Sequence, residues 1–270
     1  MTGVYTTVAI AALFVIIVLA IWLIRSLVLL RRERALVREL EANTDTLQQE
    51  HEHFVYVVSH DLQQPLRAVE GFSSLLLDKG DGIEAARSRE YLGHVQHGAQ
   101  RLSRMVLGLL EYSRVNTTPV SIGIQPLEQR VTETVAAIRQ DPELPEFEVT
   151  YESLPSIQFD ERMLRRLLEV VIDNAVRYAG GDTKPHVRIE CEELDDAVCL
   201  RIADNGPGIA EDGRGRVFEP FARLQTDDSA AVGMGLAVAR RIVRRFGGRI
   251  YYESGDGGGA VFVLRLPRIT

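Results

Sequence analysis

The sequence predicts a multidomain chain. It combines one transmembrane helix, an all-α helical hairpin that pairs into a dimeric four-helix bundle, and a C-terminal α+β sandwich domain. Three observations carry this. Val8 to Ile24 is an unbroken apolar run. Between Asp45 and Arg114 apolar residues recur at steps of three and four, around a turn-like KGDG at Lys79–Gly82. Beyond Asn116–Pro119, short alternating runs separated by turn residues read as strands interleaved with helices.

The apolar run is long enough, at about 1.5 Å per residue, to form a helix of roughly 26 Å. With tilt and a snorkelling Arg25 it makes one membrane crossing over residues 8–30. No basic residue precedes it and no small-residue cleavage site follows, which argues against a cleaved signal peptide. The RRER that follows is the positive-inside signature. The expectation is therefore a single-pass protein of the inner or cell membrane. Residues 1–7 form a short external N-terminus with no room for an outer sensor domain, and the catalytic part is cytoplasmic.

Residues 31–52 are charged and free of proline and glycine. Leu36, Leu40, Leu47, Phe54 and Val57 fall at a/d spacing, which predicts a short juxtamembrane coiled-coil linker. A first helix, from about Asp45 to Lys79, has Val58, Leu62, Val69, Phe72 and Leu76 on one face and His60 on another. A second, from about Ile83 to Arg114, points Tyr91, Val95, Leu102, Met105, Val106, Leu109 and Leu110 inward. Such a hairpin over residues 53–116 buries only one side of each helix. Pairing two copies gives a four-helix bundle, so a homodimer is expected.

Residues 120–270 are a domain of ordinary size. Strands are expected at Glu148–Tyr151, Ser156–Phe159, Val187–Glu192, Ala197–Ala203, Arg249–Glu253 and Ala260–Leu266, and helices at Glu161–Tyr178 and Ala237–Phe246. The net charge of −7 argues against a nucleic-acid binder. Cys191 and Cys199 have no partner motif and read as small buried hydrophobes.

Five stretches carry chemistry. SHDLQQPLR, Ser59–Arg67, displays a histidine beside an acid, with a proline that costs an ordinary helix about 3 kcal/mol or more. EVVIDNAVRY places Asn174 mid-helix, where its amide oxygen suits a magnesium ion. DNGPGI, Asp204–Ile209, is a tight turn after a strand, and its carboxylate can accept from an exocyclic amine. VFEPFARL puts Phe218 and Phe221 beside a loop. GMGLAVARRIV leads glycines into a helix N-terminus that favours phosphate.

In this order and company the motifs resemble the sensor histidine kinases of two-component systems over about residues 50–268. SHDLQQPLR is similar to the phytochrome-type subgroup. The resemblance implies that 53–116 is the dimerisation and histidine phosphotransfer domain and 120–270 a catalytic ATP-binding domain of the Bergerat fold, a mixed sheet with helices on one face. It implies ATP and Mg2+ as cofactors and His60 as phosphoacceptor. Asn174 would bind magnesium and Asp204 the adenine amine. Gly206 and Gly208 would shape that pocket, and Gly233 and Gly235 would hinge a lid over the phosphates. Arg177 and Tyr178 would line the nucleotide, with Ile209, Phe218, Phe221 and Leu236 also against it. Asp61 can orient the His60 ring and accept its proton. Gln64 matches a position that orients water for phosphatase activity, and Pro65 is expected to loosen the helix.

Two departures stand out. Val170 replaces a second asparagine, and Ala231 replaces a lid glycine. The expected function is autophosphorylation on His60 with ATP and transfer to an aspartate of a response regulator. The alternatives are a weakly catalytic or phosphatase-biased module of the same fold, and a Bergerat-fold ATP hydrolase. Val170 counts against the hydrolase, because such enzymes carry a water-activating glutamate there.

Overall fold

A computed structural model describes residues 55–78, 85–179, 183–222, 232–255 and 258–268. The expected membrane helix, the coiled-coil linker, the KGDG turn and Ala231 lie outside the described residues. Among the described residues no helix is long and apolar enough to cross a membrane.

Val57 to Thr270 forms one compact unit. Helix α1 covers residues 55–78 and α2 covers Ala85–Thr117. Pro65 was expected to loosen α1. The helix runs through Pro65 unbroken and Pro65 is buried, although its nitrogen has no hydrogen to give the Asp61 carbonyl. Phe72, expected on the dimer stripe, is used inside the hairpin. Its ring stacks on His94 at 4.4 Å and meets Tyr91 at 5.5 Å. Val106 and Leu110, expected to point inward, are instead 47% and 46% exposed in a single copy.

Strand β1 (Ile122–Pro126) pairs antiparallel with β3 (Ser156–Asp160) as a separate two-stranded sheet. Helix α3 (Leu127–Ile138) follows β1, and both were missed in the sequence. Helix α4 spans Glu161–Tyr178, as expected. Asp160 starts it: one carboxylate oxygen accepts from the Met163 amide at 3.1 Å, an N-cap. The other oxygen accepts from the Ser121 amide at 2.7 Å.

The main sheet has β2 (Glu148–Tyr151), β4 (His186–Glu193), β5 (Ala197–Asp204), β6 (Arg249–Ser254) and β7 (Ala260–Pro267), in the order β2-β4-β5-β7-β6. Only β2 and β4 run parallel, so the sheet is mixed. The short α5 (Glu211–Arg214) and helix α6 (Gly235–Arg245) complete the domain. The core lies between the sheet and α4 and α6, around fully buried Leu164, Leu168, Ile172, Ile189, Ile202 and Leu264.

Cys191 and Cys199 are half-buried free thiols. Burial pushes the Cys191 thiol up to about 11, so it stays protonated and unreactive at neutral pH.

Candidate functional site: a nucleotide-shaped pocket and an exposed histidine

A cavity of about 790 Å³ opens between α4, the turn after β5 and the start of α6. From α4 come Asp173, Asn174, Arg177 and Tyr178; from the turn, Asp204, Gly208 and Ile209; from the start of α6, Gly233, Gly235 and Leu236. The periodicity of α4 explains its share. Leu164, Leu168, Val171 and Ala175 point into the core, leaving Asn174 and Arg177 on the pocket side.

Asp204 closes β5 with its carboxyl nearly buried. Its Oδ1 accepts from the Gly206 amide at 2.9 Å and the Ala260 amide at 3.1 Å. Burial pushes this carboxyl above the usual range, and the two amides pull it part of the way back. Gly206 passes so close to α4 that a Cβ there would lie 2.0 Å from the Tyr178 carbonyl oxygen. No other residue fits that approach. Gly208 takes φ 72°. No motif marks Tyr252, whose hydroxyl accepts from the Ile209 amide at 3.2 Å and pins the turn from β6.

Phe221 and Gly233 flank residues 223–231. Gly233 has φ 76°, and a Cβ there would meet the Ala222 carbonyl at 2.6 Å. Phe221 holds φ 61°, a strained value for an aromatic residue. The N-cap residue of α6, Met234, gives no side-chain hydrogen bond to the first turn, whose amides favour an anion.

Arg177 does not reach freely into the cavity. It donates to Asp173 at 2.8 Å and to Asp141 at 2.6 Å. The Asp173 hydrogen bond raises its pKa, and it stays charged. The Glu143 amide and then Arg177 hold the Asp141 carboxyl below its ordinary value. Val170 also lines the cavity, an apolar wall with no ligand to offer.

Not every expected residue belongs to this wall. Gly206 shapes the turn from behind. Phe218 lies against Phe262 with ring centroids 6.1 Å apart, and Phe221 joins a cluster with Met105 and Met234; none of the three lines the cavity. In their place α2 supplies Arg104, Leu107, Gly108 and Glu111. These carry no motif, and only the tertiary fold brings them here. Glu111 accepts from Arg166 Nε and Nη2 at 2.5 and 2.8 Å. Met234 packs against α2 where Gly108 leaves room; a Cβ at Gly108 would stand 2.9 Å from Met234 Cγ.

His60 lies apart, since α1 contributes nothing to the cavity. Its side chain is 59% exposed and its Nδ1 is 2.9 Å from Asp61 Oδ1. Gln64 is exposed one turn on. Among the described residues no three acidic, histidine or cysteine side chains cluster as a metal cage.

The profile of the His Kinase A (phospho-acceptor) domain matches residues 50–118. That of the histidine kinase-, DNA gyrase B- and HSP90-like ATPases matches residues 159–270. The chain belongs to the sensor histidine kinases of two-component systems.

Within that family the chain is 30% identical over 215 residues to cyanobacterial phytochrome A of a Nostoc species, covering 79% of this chain and 28% of that protein. It is 30% identical over 224 residues to the alginate biosynthesis sensor protein KinB of Pseudomonas aeruginosa, covering 79% and 36%. The chain thus spans about a third of the length of these curated relatives. Among solved structures, full-length ShkA in complex with AMPPNP matches with a TM-score of 0.52 and 26% identity over 81% of this chain and 46% of that one. The histidine kinase ThkA, solved with the response regulator TrrA, shares the fold with a TM-score of 0.59 at 20% identity, over 80% and 61%.

Proposed function

We propose that this chain autophosphorylates on His60 with ATP and passes the phosphoryl group to an aspartate of a response regulator. It would act as a homodimer anchored in the membrane through residues 8–30. The observation that carries the reading is the His60–Asp61 pair. With Nδ1–H donating to Asp61 at 2.9 Å, Nε2 is the ring nitrogen that carries the lone pair. Attack by Nε2 on the γ-phosphorus forms the N–P bond and breaks the bond to the ADP oxygen. The Nδ1 proton, acidified in the imidazolium, can pass to Asp61.

The pocket supplies the binding. Its volume suits one nucleotide, the buried Asp204 offers an acceptor for an adenine amine, and the start of α6, which lines the same cavity, suits the phosphates. Asn174 fits a magnesium ion that takes one protein oxygen and otherwise phosphates and water. When bound, that ion would neutralise phosphate charge. The complexes of related kinases with AMPPNP and with a response regulator support the same substrate and partner here.

His60 and the cavity are separate, so transfer requires the ATP domain to leave its present seat on α2 or to serve a second copy. Val170 removes one possible polar group from the pocket and favours a slower kinase or a phosphatase-biased balance with Gln64 as a second reading.

The test uses radiolabelled ATP and the full chain. His60→Gln is expected to abolish acid-labile label while the thermal shift on adding ATP and magnesium stays. Label retained in that variant would move the phosphoacceptor elsewhere.

A further inference from the structure

A second concavity, about 1070 Å³, lies further along α6. Every residue of β6, Arg249 through Ser254, lines it. Successive side chains of a strand point to opposite faces, so an unbroken run has only its backbone edge in common. The groove therefore follows that edge. In the sheet order β6 is terminal and pairs with β7 alone. Its other edge presents backbone N–H and C=O groups unused by the sheet, a template for one more strand.

The walls are cationic. Arg240 and Arg244 come from α6, Arg214 from α5 and Arg249 from β6 itself. The Arg214 guanidinium lies over the Tyr252 ring at 5.6 Å, and its Nε donates to the Ile209 carbonyl at 3.2 Å, which fixes it in place. Among the described residues the one carboxylate of the lining is Glu253, which Arg201 meets at 2.7 Å. On a chain of net charge −7, the described lining gathers four arginines, a local concentration of cationic side chains.

We propose that the β6 edge and its arginines form a docking site for an extended acidic segment of a partner protein, added to the sheet as a further strand. Backbone hydrogen bonds would give pairing, and carboxylates at alternate positions would meet the arginines. A six-residue strand offers about 20 Å of edge, enough for a peptide of similar length.

Fluorescence anisotropy on the full chain tests this with a labelled eight-residue peptide alternating glutamate and valine. Binding is expected, with at least tenfold loss when lysine replaces glutamate. Arg244→Glu combined with Arg249→Glu should weaken it at least tenfold and leave the ATP thermal shift unchanged. Of two glutamate peptides N-methylated at odd or even positions, one should lose binding tenfold. Absence of binding, equal affinity for the arginine variant, or equal affinity for both N-methylated peptides would overturn the proposal. So would a result in which phosphatidylserine–phosphatidylcholine vesicles, but not the peptide, bind less well to the arginine variant.

Discussion

The ATP domain and the helical hairpin bury their apolar residues differently. The domain encloses a continuous core, in which Leu127, Leu164, Leu168, Val171, Ile172 and Leu264 are inaccessible to solvent. Among the described residues of the hairpin the buried large apolar side chains are Met105 and Val115. Both are covered in part by the other domain: Met105 packs with Phe221 and Met234 as well as with hairpin residues such as Leu62 and Leu109, and Val115 joins the main core. Meanwhile Leu66, Leu75, Leu77, Leu92, Val106, Leu107 and Leu110 stand between 38% and 82% exposed. A domain that satisfies itself can move as a body. A hairpin left this open is half of something, and a second copy is the covering the proposed dimer supplies.

The sharpest way to break the comparison is inside the domain core. Phe159 is 1% exposed, with its ring centroid 4.0 Å from that of Phe246. Phe159→Ala should cost about 3–5 kcal/mol. Thermal melting of the full chain should fall accordingly, and the ATP-induced shift should vanish with the pocket.

Next comes the hairpin. Leu66→Glu with Leu110→Glu should convert the dimer to a monomer by light scattering. Autophosphorylation should fall at least tenfold while the ATP thermal shift persists. A dimer that survives both charges would show that the exposed stripe is not the interface.

Asp204→Asn tests the pocket without touching the core. Asparagine can keep the acceptor for Gly206 and Ala260 but turns a donor toward the ligand, so ATP affinity should fall roughly tenfold. The nucleotide-free protein should become more stable at neutral pH. A carboxyl whose folded pKa is raised favours the fold below its unfolded pKa and loses that contribution as pH rises through the folded value. The ionised form of Asp204 is therefore a cost to the folded state that asparagine removes. Melting curves of the two forms should converge as pH falls toward the carboxylate range.

The smallest effect belongs to the contact between the two regions. Glu111 and Arg166 are each more than a third exposed, so Glu111→Gln should change stability by no more than about 1 kcal/mol. Hydrogen exchange in α2 near Gly108 should nonetheless speed up, because the variant weakens the seat of the ATP domain.

What the sequence disclosed followed from local chemistry. Helix α4 was legible to the residue because Asp160 caps it and its apolar period is strong. The β4–β5 hairpin was legible from the turn at Leu194–Asp196, where the Leu194 amide meets the Ala197 carbonyl at 2.8 Å. Strand β1 was hidden because Ile122 and Ile124 both face solvent, so its alternation points away from any core. The glycine turn and Asp204 were legible, since only glycine tolerates the close approach to Tyr178. Arg104, Gly108, Glu111 and Tyr252 were not, because their place at the cavity or its turn depends on how helices and strands pack.

The junction between the two regions is tied down. Arg245 of α6 donates to the carbonyls of Val115 and Thr118, at the end of α2. Arg162 Nη2 reaches the Pro119 carbonyl at 3.0 Å, and Asp160 holds the Ser121 amide. The last turn of α2 is thus gripped by side chains of the domain that follows it. Mechanically this is a stiff coupling rather than a swivel: torque applied along α2 reaches α4 and α6 directly, and the ATP domain can turn independently only after these bonds are released.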